Sequence, residues 1–243
     1  GNILARYHTT GPVGYATSLV LARILKIKER ISSDRELSEK LDKVQIYREA
    51  VRIHRNQVPA HNTFNTLRSR LGPEGFIEIH RHFVLKAHEA GLLSPPVPKL
   101  PKMLNHKIIL LGDSTFLRAV ASSNGEKDQN GNWLFSDESV AFGKPHHKHK
   151  FPVGHRVHTL TTIGGIPLIS LLAPANETDV THILGLLATL IERYPDLPFA
   201  CIILDAGYDA EEIHQNIHTR FSLLPIIIRK PTMKWGSALS ETG

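Results

Sequence analysis

Apolar residues recur at helical spacing over the first third of the chain and at strand spacing after it. Over 16–27, Leu19, Val20, Ala22, Ile24 and Ile27 follow a period of about 3.6 and predict a helix. Ser33-Asp34-Arg35-Glu36 is a capping box, in which a hydroxyl and a carboxylate satisfy free amides at a helix start. That helix runs to about Leu41, and another fits 45–55. Asn62 is placed to cap a short helix carrying Phe64, Leu67 and Leu71, which Gly72-Pro73 stops. A last helix fits 74–90, with Phe76, Ile79, Phe83 and Ala87 on one stripe.

Ser94-Pro95-Pro96-Val97-Pro98-Lys99-Leu100-Pro101 then interrupts the pattern, because proline neither continues a helix nor enters a sheet interior. It reads as a semi-rigid linker over 94–106, with a helical domain over 1–93 and a second domain over 107–243. In the second domain short apolar strands fit 107–113, 156–163, 166–173, 199–204 and 223–228. Gly164-Gly165 marks a hairpin turn. Helices fit 180–194, capped by Thr178 or Asp179, and 211–218. A hairpin followed by helical crossovers predicts an α+β chain with a mixed sheet and packed helices. The stretch 122–154 is left as a long loop, of the kind that is usually functional or disordered.

With 243 residues, 41% hydrophobic and 21% charged, the chain has ordinary globular composition. Its single cysteine, Cys201, excludes a disulfide framework and any cysteine-only metal site, and fits a reducing compartment. No apolar run reaches the roughly 20 residues that span a bilayer, so no membrane is expected. The start, Gly1-Asn2-Ile3, lacks Met and the pattern of a signal peptide, which suggests a processed, engineered or cut terminus. Lys plus Arg number 29 against 23 Asp plus Glu, a formal charge of +6. Such a balance suits a polyanionic partner, nucleic acid first.

Two aspartates stand out by position. Asp113 and Asp205 each end an apolar strand with no other charge beside them. If those strands are neighbours, the carboxylates converge at one rim of the sheet. Close like charges repel unless a cation lies between them. Oxygen-only ligands suit Mg²⁺ or Mn²⁺, and two such ions can clamp both oxygens of a phosphodiester displacement. Taken singly, each Asp also reads as the cap of the next turn.

Seven segments carry a resemblance, four of them in the second domain. Gly112-Asp113-Ser114-Thr115, Gly154-His155-Arg156-Val157-His158, Ala175-Asn176-Glu177-Thr178-Asp179 and Asp205-Ala206-Gly207-Tyr208-Asp209 resemble the DDE transposases of bacterial insertion sequences. Ser33-Asp34-Arg35-Glu36-Leu37, Pro59-Ala60-His61-Asn62-Thr63-Phe64 and Arg68-Ser69-Arg70-Leu71-Gly72-Pro73 resemble the same group's N-terminal half. The resemblance implies an RNase H-like catalytic domain, with Asp113 and Asp205 as catalytic metal ligands for two Mg²⁺ or Mn²⁺ ions. It implies strand cleavage and transfer on double-stranded DNA at element ends, by a homodimer assembled on DNA, in a prokaryotic cytoplasm at the nucleoid. A catalytic Glu is expected on a helix after the last strand. The chain stops short of that motif, and Glu241, 36 positions past Asp205, is the candidate third acid. The corresponding expectation is a fragment or decayed copy lacking the Glu helix.

Around this centre, Lys144, Lys148 and Lys150 form a basic tract with His146, His147 and His149. The lysines suit DNA phosphates, while a solvated loop or a zinc site are the other readings. Arg156 suits the substrate backbone or one-sided solvent exposure, and Arg68 and Arg70 suit a DNA-reading helix or mere solubility. Ser114 and Thr115 can orient Asp113, and Tyr208 is read as packing beside a helix. Rival functions are a cleaving-only metal nuclease and an inactive DNA-binding or inhibitory remnant. Neither a Gly-x-Ser-x-Gly elbow nor a P-loop is present, which counts against hydrolase and nucleotide-binding classes.

Overall fold

The computed structural model describes residues 15–129, 131, 133–143 and 152–228. They form an α+β chain of two compact units that divide between Phe83 and Val84. The expected division lay later, at the proline-rich stretch. The difference has a packing cause: Val84 and Leu93 are buried in the core of the second unit, so the end of the last N-terminal helix belongs there.

The first unit holds α1 (Tyr15–Lys28), α2 (Asp34–Lys43), α3 (Gln45–Val51) and most of α4 (His61–Glu89). Leu19, Ala22, Leu37, Leu41, Phe64, Leu67 and Leu71 make its core. The apolar stripes are narrower than their sequence suggests. Ile24 and Ile27 point to solvent at the end of α1. In α4, Gly72 has φ 59° and ψ −176°, and Pro73 supplies no N–H, so the helix breaks where the sequence predicts. After the break Phe76 and Phe83 are exposed, while Val84 is buried in the core of the second unit.

The capping box forms with one variation. Ser33 Oγ accepts the Glu36 N–H at 3.1 Å, but the Glu36 carboxylate takes the N–H and hydroxyl of Ser32 rather than the Ser33 amide. Those bonds, the Ser32 hydroxyl first and then Lys40, hold the Glu36 carboxyl down to about 2. A depressed carboxyl stabilises the fold above its ordinary 4.5 and loses that contribution as pH falls toward 2. Thermal melts between those pH values should therefore show a shallower loss in Glu36→Gln than in the wild type. Ser33→Ala should cost about 1 kcal/mol at neutral pH, read as a lower melting temperature.

The second unit is built on a six-stranded sheet. Its strands are β1 (Ile108–Arg118), β4 (Ala141–Phe142), β5 (Val153–Thr162), β6 (Pro167–Pro174), β7 (Phe199–Leu204) and β8 (Leu224–Ile227). A separate hairpin pairs β2 (Ser123–Lys127) with β3 (Trp133–Phe135). The order runs β6-β5-β1-β7-β8, with β4 beside the start of β5. β5 is antiparallel to β1 and β6, whereas β1, β7 and β8 run parallel. The parallel steps require crossovers, supplied by α5 (Asp179–Arg193) between β6 and β7 and α6 (Glu211–Phe221) between β7 and β8.

Two sequence expectations change here. β1 does not stop at Asp113 but continues to Arg118, because its antiparallel partner β5 extends the pairing to Gly154. The stretch expected to be a loop carries β2, β3 and β4, with Phe142 packed edge-on against Trp133 and Phe135. The main core lies on one face, where Ile183, Leu187 and Leu190 of α5 meet Leu110, Leu160, Ile202 and Leu204. On the second face Leu104, Ile109 and Cys201 form a smaller cluster. Burial raises the pKa of the Cys201 thiol, as expected of an inert core cysteine. β8 has one neighbour among the described residues; Ile228 N–H donates to Leu204 O at 3.2 Å just past its end, and Pro225 lies at its second position. Among the described residues no helix is long and apolar enough to cross a membrane.

Candidate functional site

The residue before each aspartate is locked by the core. Gly112 has no room for a side chain, since a Cβ there would lie 2.4 Å from Leu204 Cδ2 and 3.2 Å from Leu160 Cδ2. That close approach lets β1 and β7 run side by side in register through Leu111↔Ile203 and Gly112↔Leu204. Asp113 and Asp205 are the next residues on the two strands. Adjacent strands lie about 4.8 Å apart, so the two positions are lateral neighbours.

Their face follows from alternation. Ile109 and Cys201 share the second-face cluster, and every second residue returns to that face. Asp113 lies four residues past Ile109, and Asp205 lies four past Cys201 with extended backbone, φ −76° and ψ 174°. Both aspartates thus share the second face, and both are exposed. Each has one oxygen fixed locally. Asp113 Oδ1 accepts the Ser114 N–H at 2.7 Å, and Asp205 Oδ1 accepts the Gly207 N–H at 2.8 Å. The turn-capping reading of Asp205 therefore holds alongside any other use, since it starts the 3₁₀ turn Ala206–Tyr208.

On the same face, Asp113 stands opposite Thr159 of β5, and Thr159 stands opposite Ser170 of β6. The two hydroxyls share a hydrogen bond of 3.0 Å. Sequence reading missed both residues; the signal available was the alternation on 156–163, which set Thr159 on one face with Val157.

Arg156 takes the other face. It lies opposite Phe116 on β1 and shares parity with His158 and Leu160, and its Nη1 donates to Ser114 Oγ at 3.3 Å. His158 is buried there, its ring 4.6 Å from that of His182 on α5, and His182 Nε2 contacts Glu177 Oε2. Tyr208 is buried in the main core, as the packing reading expects. Arg68 and Arg70 are exposed on α4, and Arg68 donates to Asn65 Oδ1 at 2.7 Å. Lys144, Lys148, Lys150 and Glu241 lie outside the described residues.

Whether this site suits a divalent ion depends on its donors. Two neighbouring carboxylates, each with a second oxygen to offer, match the one or two protein carboxylates with which Mg²⁺ is usually held beside substrate phosphates. Among the described residues no group of three or more His, Cys, Asp or Glu is placed to hold a metal. A cleft of about 540 Å³ lined by Trp133, Phe135, Phe142, Asn176 and Glu177 lies elsewhere, and neither aspartate lines it. No protein-family model, curated protein or solved structure matches this chain.

Proposed function

We propose that this chain is a DDE-type transposase, or part of one, acting on double-stranded DNA through an RNase H-like catalytic domain. The observation that carries the reading is the juxtaposition of Asp113 and Asp205 on one face of adjacent parallel strands. The strand order β6-β5-β1-β7-β8, with only β5 antiparallel among these strands and helical crossovers before β7 and β8, supports it. So does the formal charge of +6.

In this reading Asp113 and Asp205 hold Mg²⁺ or Mn²⁺ through the oxygens that Ser114 and Gly207 leave free. When bound, the metal supplies the positive charge that in-line phosphoryl transfer needs at its attacking and leaving oxygens. The chain's own contribution is geometric. The amides of Ser114 and Gly207 fix each carboxylate's rotation before substrate arrives, and the Gly112 contact with Leu204 fixes the spacing between strands. Basic side chains, among them Arg68, Arg70, Lys144, Lys148 and Lys150, supply the salt-dependent grip on the DNA backbone.

Mn²⁺ titration tests the metal assignment directly. Wild-type protein is expected to bind the ion, and Asp113→Asn is expected to weaken binding at least tenfold while melting at the same temperature. Equal Mn²⁺ affinity in the two proteins would remove the assignment.

A further inference from the structure

The aspartate pair is one end of a longer polar row. From Asp205 the row crosses to Asp113 on β1, Thr159 on β5 and Ser170 on β6, so four neighbouring strands each place one polar side chain on the second face. At about 4.8 Å per strand the row is about 14 Å long and runs across the strands. The rows that flank it differ in character. One side carries Ile203, Leu111 and Thr161, and the other carries the exposed Thr115, Val157 and the exposed Leu172. What sets the row apart is that all four of its positions are polar, whereas each flanking row mixes apolar residues with a threonine.

Its two hydroxyls are prepared for an acceptor. In the 3.0 Å bond between Thr159 Oγ1 and Ser170 Oγ, one proton is spent internally and the other remains to be donated outward. The backbone and this mutual bond hold the pair in place, so little further ordering is needed on binding. Beside two carboxylates a lysine would neutralise the site; neutral hydroxyls donate without doing so. The acceptor that fits is a non-bridging phosphate oxygen next to the phosphate held at the aspartates.

We propose that Thr159 and Ser170 bind the DNA backbone beside the reacting phosphodiester, so that the bound strand crosses the sheet from β7 toward β6. The proposal rests on the reading of Asp113 and Asp205 as the metal-binding, phosphate-reacting pair. It extends that reading by naming the course of the substrate and the residues that receive it.

The test is fluorescence anisotropy of a labelled duplex oligonucleotide with Mn²⁺, over a series of salt concentrations. Thr159→Val/Ser170→Ala is expected to weaken binding about tenfold, the loss of one hydrogen bond to a charged group. Its salt slope is expected to match the wild type, because a neutral donor releases no counterion. Thr159→Ser is expected to restore the affinity, which a merely structural role of the threonine methyl would not allow. Ser170→Ala alone, at an exposed position, keeps the test sound if the double variant folds poorly. Wild-type affinity in both Ser170→Ala and the double variant overturns this proposal alone, provided the Mn²⁺ titration has placed the ion on Asp113. Failure of that titration overturns the reading beneath it, and the present proposal with it.

Discussion

Gly154→Ala is expected to destabilise the sheet-bearing unit by about 3 kcal/mol or more, read as a large fall in melting temperature. Gly154 is buried where β1, β4 and β5 meet, paired with Arg118 on one side and Ala141 on the other. A Cβ there would lie 2.1 Å from the Leu117 carbonyl oxygen and 3.0 Å from Phe116 Cζ. The first of these is backbone, so no rotamer change relieves it; β1 and β5 must part. Phe116 cannot retreat freely either, because it also packs against Gly143, where a Cβ would lie 2.9 Å from Phe116 Cε2. Urea or thermal unfolding measures the cost. Gly185→Ala is the matched control: an exposed position in α5 with nothing within 4 Å of an added Cβ, where alanine should be neutral or stabilise by up to about 1 kcal/mol. Equal stability of the two variants would show that the β1–β5 contact is looser than described.

Asp205→Asn is expected to lower Mn²⁺-dependent plasmid nicking by about three orders of magnitude relative to the unsubstituted chain. The choice of asparagine matters. Asp205 caps the Ala206–Tyr208 turn, and in the proposed reading it is also a metal ligand. Asn keeps the Oδ1 that accepts the Gly207 N–H while removing the charge, so folding and chemistry separate. Asp205→Ala removes both and should also lower the melting temperature. Asp113→Asn follows the same logic, since Oδ1 still accepts the Ser114 N–H. Nicking that survives either asparagine at more than a tenth of the wild-type rate would dismiss the pair as the reacting centre.

What could be read in advance follows from which signals are local. The capping box, the Gly72-Pro73 break, the strand ahead of Asp205 and the two crossover helices depend on neighbours in sequence, and each appears where its pattern lies. The end of β1 did not, because its length is set by β5, forty residues on, whose pairing carries it past Asp113 to Arg118. The hairpin of β2 and β3 was hidden for a similar reason. Its aromatic residues, Trp133 and Phe135, close on Phe142, and Lys127 lies over the Trp133 ring, contacts that no window of fixed period detects. The two aspartates were legible because each follows an apolar run. Thr159 and Ser170 were not, because a threonine in a strand is ordinary until cross-strand register sets it opposite a carboxylate. Arg156 shows the converse. Its sequence setting suggested contact with a substrate backbone or plain solvent exposure, and alternation places it on the face opposite Asp113.

Pro225 bears on how the molecule behaves in concentrated solution. Ile228 directs its N–H at β7, so by alternation Leu224 and Ile226 do the same, while positions 225 and 227 turn theirs outward. The missing donor of Pro225 thus costs the internal ladder nothing. Among the described residues this margin has no other partner, and there the missing donor denies a docking point to any foreign strand that would zip on, where Leu224 and Ile226 would otherwise make fibril-like stacking attractive.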